Sequence, residues 1–252
     1  MPFLPYQESA PTATLTSWIE AFWQSPIEHN GTLRLLPSAN MQLLVYSNTS
    51  GRGLAIIGPM SKFQITNVHA GESFFGARLV AGTKITIPGF DTAIMKDGRV
   101  FGSELRCLPI QKFEAALTKT TGAKNMRLDL LTELVHTLIK ENYFARDALV
   151  DRFIANVRAA DGVGSVEQLA GNLPLSDRQL RRRLVSYTGI TPKGFIKICR
   201  QQAAVKSLKQ SAGTIAAIAA ASGYSDQAHL HNEFRELIGV TPLTLDDELT
   251  LE

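Results

Sequence analysis

The sequence predicts an α+β chain in which a β-rich N-terminal unit precedes an all-α unit. Three observations carry this. Between Thr32 and Ile87 short apolar runs alternate with turn residues. From about Glu104 the apolar positions recur every three or four residues. Between Ser165 and Pro242 one helical pattern is written twice, the copies fifty residues apart. At 252 residues the chain is long enough to bury a core in each of two units.

Taken in order, Leu15, Trp18, Ile19 and Phe22 have helical spacing, so a helix is expected over Thr14 to Phe22, broken at Ser25-Pro26. Strands are expected at Thr32 to Leu36, Met41 to Tyr46, Leu54 to Ile57, Lys62 to Val68, Ser73 to Leu79 and Lys84 to Ile87. Asn48, Gly51, Gly53, Gly58-Pro59, Gly71, Gly82 and Pro88-Gly89 punctuate them, which gives a compact β-sandwich or small barrel over residues 1–100. Residues 101–144 read as a helical connector. Phe113, Ala116 and Leu117 form one stripe, and Leu128, Leu131, Leu134, Val135, Leu138 and Ile139 a longer one, with Gly122 between them. These stripes pack either on their own unit or against a second copy of the chain.

The last unit is expected over residues 145–252. Its first helix, Asp147 to Ala159, turns Leu149, Phe153, Ile154 and Val157 inward and stops at Asp161-Gly162-Val163-Gly164, after which Ser165 caps the next. In the first copy Val166, Leu169 and Ala170 precede a break at Pro174 and Ser176, and Leu180 and Leu184 resume the period before Gly189-Ile190-Thr191-Pro192. In the second, Ile215, Ile218 and Ala219 precede Gly223-Tyr224-Ser225, followed by Leu230, Phe234 and Gly239-Val240-Thr241-Pro242. Each copy is a helix, a turn and a second helix, the outline of a helix-turn-helix.

At 100° per residue, Leu180, Leu184 and Tyr187 share one side of the first copy's second helix, and Arg178, Arg181 and Arg182 the other. An exposed basic face by itself is a solubilising surface. Here, however, Arg178 to Lys209 holds nine basic residues and no acidic one. Such a block repels itself unless a polyanion neutralises it, and nucleic-acid phosphates do so with release of counterions. The planar fork of arginine also fits the O6 and N7 of guanine.

The second copy, "IAAIAAASGYSDQAHLHNEFRELIGVTP", resembles the signature segment of the AraC family of transcriptional regulators, and "LAGNLPLSDRQLRRRLVSYTGITPKGFIKICRQQAAVKSL" resembles its companion with the long connecting helix. The similarity covers roughly residues 145 to 245. It implies sequence-specific binding of double-stranded promoter or operator DNA, with RNA polymerase as a further candidate partner. Arg178, Arg181 and Arg182 then stand where family members reach base edges. Fifty residues on, the same positions are Ala228, His231 and Asn232, bordered by Gln227. Asn232 suits adenine, Ala228 a thymine methyl, and His231 a base or phosphate. Candidate phosphate contacts are Ser176, Arg183, Lys193, Lys197, Arg200, Ser225 and Arg235. A connector capped by Thr191, with Pro192 at its first position, runs about nineteen residues, or roughly 28 Å. Successive major grooves on one face of B-DNA recur about every 34 Å. The chain departs from the family in its second motif, where Arg235 is the only Lys or Arg from Thr214 onward, against Asp226, Glu233, Glu236 and an acidic end. The first motif is therefore expected to supply most of the affinity.

The segments "LPSANMQLLVY", "GP" and "GARLVAG" are similar to the cupin-like N-terminal barrel of a subgroup of that family. The resemblance implies a sensor for a small-molecule effector or a homodimerisation module. A metal-dependent cupin would need a His-x-His pair, whereas this region has only His29 and His69, with Glu72 nearby. His229 and His231, two apart on a helix, point away from each other. Nucleophile-elbow, dinucleotide and phosphate-loop motifs are absent, so no enzyme, cofactor or metal is expected. A barrel enzyme or small-molecule binder with an accessory DNA-binding domain is the rival reading. No run of eighteen apolar residues predicts a membrane span. The N-terminal MPFLPYQESAPTAT lacks the pattern of a signal peptide, and Cys107 and Cys199 suit free buried thiols, which together point to a bacterial-type cytoplasmic protein.

Overall fold

The computed structural model describes residues 6–119, 124–210, 213–247 and 250–251, so Gly122, Glu248 and Glu252 lie outside the described residues. The N-terminal unit holds strands β1 (Gln7–Ser9), β2 (Ile19–Pro26), β3 (Gly31–Leu35), β4 (Gln42–Asn48), β5 (Gly51–Ile57), β6 (Gln64–Val68), β7 (Ser73–Leu79), β8 (Lys84–Ile85) and β9 (Arg99–Phe101). Six form an antiparallel sheet in the order β1-β2-β7-β4-β5-β9. Its register places Val45 opposite Phe75 and Leu54, and Leu43 opposite Ala77 and Ile56, so alternate residues of three strands make one apolar face. Helices α1 (Leu108–Lys119) and α2 (Lys124–Lys140) cover that face with Ile110, Phe113, Leu117, Leu131, Leu134, Val135 and Leu138. Both helical stripes are thus spent on the sheet of their own chain. The second sheet pairs β3 with β6, and β11 (Thr250–Leu251) adds parallel to β3. Ile27, Leu33 and Val68 pack beneath it with Phe74 of β7.

The helix expected over Thr14 to Phe22 does not form. A turn ending at Trp18 leads into β2, which pairs with β7 through a bulge between Ile19 and Ala21. The extra residue shifts the strand's alternation, so Ile19 and Phe22 both reach the core from positions three apart. That spacing imitates a helix. The six expected strands form with ends shifted by up to three residues, while β1, β9, β10 (Phe144–Ala145) and β11 are too short to leave a periodic signal.

The C-terminal unit consists of α3 (Ala148–Ala159), α4 (Val166–Ala170), α5 (Asp177–Thr188), α6 (Pro192–Lys209), α7 (Ile215–Ala221), α8 (Gln227–Leu237) and a 3-10 turn at Pro242–Asp247. Val150, Phe153, Ile154 and Val157 of α3 are buried with Leu169, Leu180, Leu184 and Phe195 in one core; Leu149 is only partly buried at its edge. Val205, Ile218, Tyr224, Leu230 and Phe234 make a second core around the far end of α6. Both cores admit residues from the N-terminal unit, Ala39 and Ala81 in the first and Leu36 in the second.

Candidate nucleic-acid interface

Each helix-turn-helix starts on a built cap. The Ser165 hydroxyl accepts from Gln168 N and the Ser176 hydroxyl from Gln179 N, while each glutamine side chain accepts from the backbone N–H of its serine. In the second motif Thr214 caps α7, and Asp226 caps α8 by accepting from His229 N at 2.7 Å. That backbone donor, ahead of the smaller opposing effect of desolvation, holds the Asp226 carboxyl below its usual range. Gly189 and Gly239 end α5 and α8 in left-handed geometry, with φ of 70° and 82°.

On α5, Arg178, Arg181 and Arg182 are all exposed, on the side opposite the buried Leu180 and Leu184. On α8, Ala228, Asn232 and Arg235 are exposed on the side away from Leu230 and Phe234, Gln227 is exposed at the first position, and His231 is half-buried at the border. Lys193 is exposed in the first turn of α6. Ser176 is occupied as a cap, and the Ser225 hydroxyl lies 3.2 Å from His229 Nδ1 and 3.3 Å from Asp226 Oδ2.

Three of the basic residues proposed for phosphates are instead committed within the chain. Arg183 is ion-paired with Asp147, the cap of α3. Burial raises the Asp147 carboxyl, but donors from Val150 N, Arg183 and Leu149 N together bring it below the usual carboxylate range. Arg200 donates to Glu233 at 2.8 and 3.2 Å and lies 4.8 Å from the Tyr224 ring centroid. Lys197 lies 2.8 Å from Glu236 and 3.8 Å from Glu233. Glu233 is buried and accepts from the Tyr224 hydroxyl at 2.9 Å as well, so one carboxylate joins α6, α8 and the turn between α7 and α8. Desolvation, then the Glu233 charge, drives the Tyr224 phenol upward.

These pairs obey the fifty-residue offset. Asp147 corresponds to Lys197 and Arg183 to Glu233, so an ion pair ties α5 to the start of α3 and α8 to α6, with its polarity reversed. The reversal is legible as a charge exchange between positions fifty apart, a signal that reading each motif separately overlooks. It also revises the charge account. Glu233 and Glu236 face Lys197 and Arg200, so the outward side of α8 is less acidic than its composition suggests.

The N-terminal unit supplies no metal-binding constellation among the described residues. Glu72 is engaged as a loop clasp, accepting from His69 N at 3.0 Å and Thr49 N at 3.4 Å. Cys107 and Cys199 are buried free thiols, and burial pushes Cys199 up to about 12. A polar cleft of about 860 Å³ lies between the large sheet and α6, with Tyr6, Asn40 and Arg78 on one side and Arg158, Gln202 and Lys206 on the other. No helix among the described residues is long and apolar enough to cross a membrane.

A family model described as "Helix-turn-helix domain" matches residues 169–247, and one described as "Domain of unknown function (DUF6597)" matches residues 7–102. Among curated proteins, the chain is 24% identical over 162 residues to the uncharacterized HTH-type transcriptional regulator YidL of Escherichia coli K12, covering 62% of this chain and 53% of that protein. It is 36% identical over 77 residues to the HTH-type transcriptional activator RhaS of Pectobacterium carotovorum, covering 31% of this chain and 28% of RhaS. The chain therefore spans about half, or less, of the length of these relatives. Among solved structures, apo ToxT from Vibrio cholerae aligns over 93% of this chain and 98% of its own, at 12% identity and a TM-score of 0.48. The chain thus carries a helix-turn-helix domain over residues 169–247, and the relatives it resembles are helix-turn-helix transcriptional regulators.

Proposed function

We propose that the protein is a transcriptional regulator that binds specific double-stranded DNA by inserting α5 and α8 into adjacent major grooves. One observation carries this reading: two side-chain sets at equivalent positions, the exposed Arg178, Arg181 and Arg182 on α5 and the exposed Ala228 and Asn232 with the half-buried His231 on α8, on helices joined through α6. Arginines on α5 suit guanine and Asn232 suits adenine. Lys193 and Arg235, with the helix N-termini at Ser176 and Ser225, are the phosphate contacts this reading keeps; Arg183, Lys197 and Arg200 serve the internal ion pairs. RNA polymerase at the bound promoter and a second copy of the chain are the protein partners it implies.

A binding titration on genomic fragments, including the gene's own promoter, at several salt concentrations with competitor DNA tests it. The expected result is tight binding to a few fragments. Arg181→Ala and Arg182→Ala each weaken it by about 1–3 kcal/mol, and Asn232→Ala by less, because α8 reads fewer bases. Uniform, steeply salt-dependent binding would overturn sequence recognition, and equal losses for Arg182→Ala and Asn232→Ala would overturn the ranking of the two helices.

The N-terminal unit is the effector module in this reading. The cleft against α6 has the volume of a small-molecule site and touches both units, so a ligand there bears directly on the strut between the motifs. A metabolite that binds it raises the thermal midpoint of the full chain and changes the DNA titration. A metabolite screen that moves neither would leave the protein a constitutive DNA binder.

A further inference from the structure

The two glycines that end the recognition helices are fifty residues apart, and the N-terminal unit is pressed against both. A side-chain carbon at Gly189 would lie 3.0 Å from the Thr92 carbonyl oxygen and 3.3 Å from Lys96 N. One at Gly239 would lie 2.5 Å from both Arg34 Nη1 and Phe63 Cζ. Equivalent turns of the duplicated motif are therefore held by different parts of one sheet-based body, the first by the 3-10 turn at Thr92–Ile94 and the second by β3 and the segment before β6.

The grip on the second motif is the more specific. Arg34 Nη1 donates to the Ile238 carbonyl at 2.8 Å, and Phe63 N donates to the Leu237 carbonyl at 2.6 Å. These carbonyls lie at the C-terminal end of α8, where a helix leaves acceptors without partners of its own and where a cation complements the dipole. The Arg34 guanidinium stands 4.8 Å from the centroid of the Phe63 ring, so the two gripping groups brace one another. Leu36, one residue beyond β3, is 2% exposed and packs in the same core as Phe234, Ile238 and Leu245. The first motif is held by packing of the 3-10 turn at Thr92–Ile94 and of β8 along α5, with Lys84 Nζ donating to the Ser186 hydroxyl at 3.2 Å and lying 5.6 Å from the Tyr187 ring centroid.

We infer that Arg34, with Leu36 and Phe63, is a positioning residue for DNA recognition: the N-terminal unit fixes α8 relative to α5 and so sets which two groove segments one chain reads together. The inference rests on the two-groove reading above. Arg34 and Phe63 bond to the C-terminal end of α8 and Leu36 shares its core, whereas Gln227, Ala228 and Asn232 lie at its start and middle. They act on the DNA through the placement of the helix.

The test is hydroxyl-radical footprinting and titration of the full-length chain on a fragment it binds, for wild type, Arg34→Ala, Arg34→Lys and Phe63→Ala. Wild type is expected to protect two successive groove segments. Arg34→Ala should keep the segment read by α5, lose the segment read by α8 and bind about tenfold or more weakly, the worth of one or two base contacts. Arg34→Lys, which retains a donor for the Ile238 carbonyl, should recover the second segment. A merely structural role would weaken both segments together and overturn the inference, as would unchanged protection of both by Arg34→Ala. Should Arg34→Ala lack the wild-type circular dichroism spectrum, Phe63→Ala, which keeps its backbone bond to Leu237, supplies the same comparison. A single segment protected by wild type overturns the two-groove reading itself, and the inference falls with it.

Discussion

Asp147 does two jobs with one carboxylate. It caps α3 through Leu149 N and Val150 N, and it anchors α5 through Arg183. Both uses favour the ionised form, so its pKa in the fold lies below the unfolded value of about 3.9. The sign follows directly. Its stabilisation is present above the unfolded value and is lost as the pH falls through the folded one. Asp147→Asn keeps a capping side chain but removes the charge, so its unfolding free energy should fall less steeply than that of wild type between about pH 5 and pH 3. Denaturant titrations at several pH values measure this, and superimposable pH profiles would refute the assignment. The residue was legible as a helix start, because a helical period opens just after it. Its pairing with Arg183, thirty-six positions away, was not, because nothing local to either residue records which surface arginine a fold will engage.

At the scale of elements, the duplicated motif is the most legible part of the chain. The caps at Ser165 and Thr191 and the stops at Gly189 and Gly239 follow from local rules and form where those rules put them, while Ser176, read as a break, and Thr214 prove to be caps as well. The N-terminal sheet was legible in its central strands, whose alternation is clean. Beside them, β2 was misread because its bulge gives a strand the spacing of a helix. The exposed arginines of α5 were legible as a face, while the internal use of Lys197 and Arg200 depends on Glu233 and Glu236 arriving from another helix. That use makes a testable claim about α6 and α8 as a pair. Glu233→Ala leaves Arg200 without its carboxylate in a largely buried place and should cost about 3 kcal/mol in chemical denaturation. Adding Arg200→Leu should return much of that loss. A cost near zero for the single variant would mean that the cluster contributes nothing to holding α8.

At the scale of the whole molecule, the composition of the second motif understates its fitness for a polyanion, since its acids are largely directed at the strut. The junction between the units was the least legible feature of all. Arg34, Leu36 and Phe63 sit in ordinary strand-like surroundings, and only three-dimensional placement brings Arg34 and Phe63 to Gly239, more than 170 positions later, and Leu36 to the core of the second motif. Arg158 adds a further tie, donating to Glu20 at 3.0 Å beside the cleft. Leu36 has a consequence for how the two units can be recombined. A chimera that joins this helical half to a foreign N-terminal unit inherits a hole in the second motif where that leucine stood. Exchange of the N-terminal unit therefore requires grafting Leu36 and Arg34 along with the seam, or the second core is left short of a side chain it was built around.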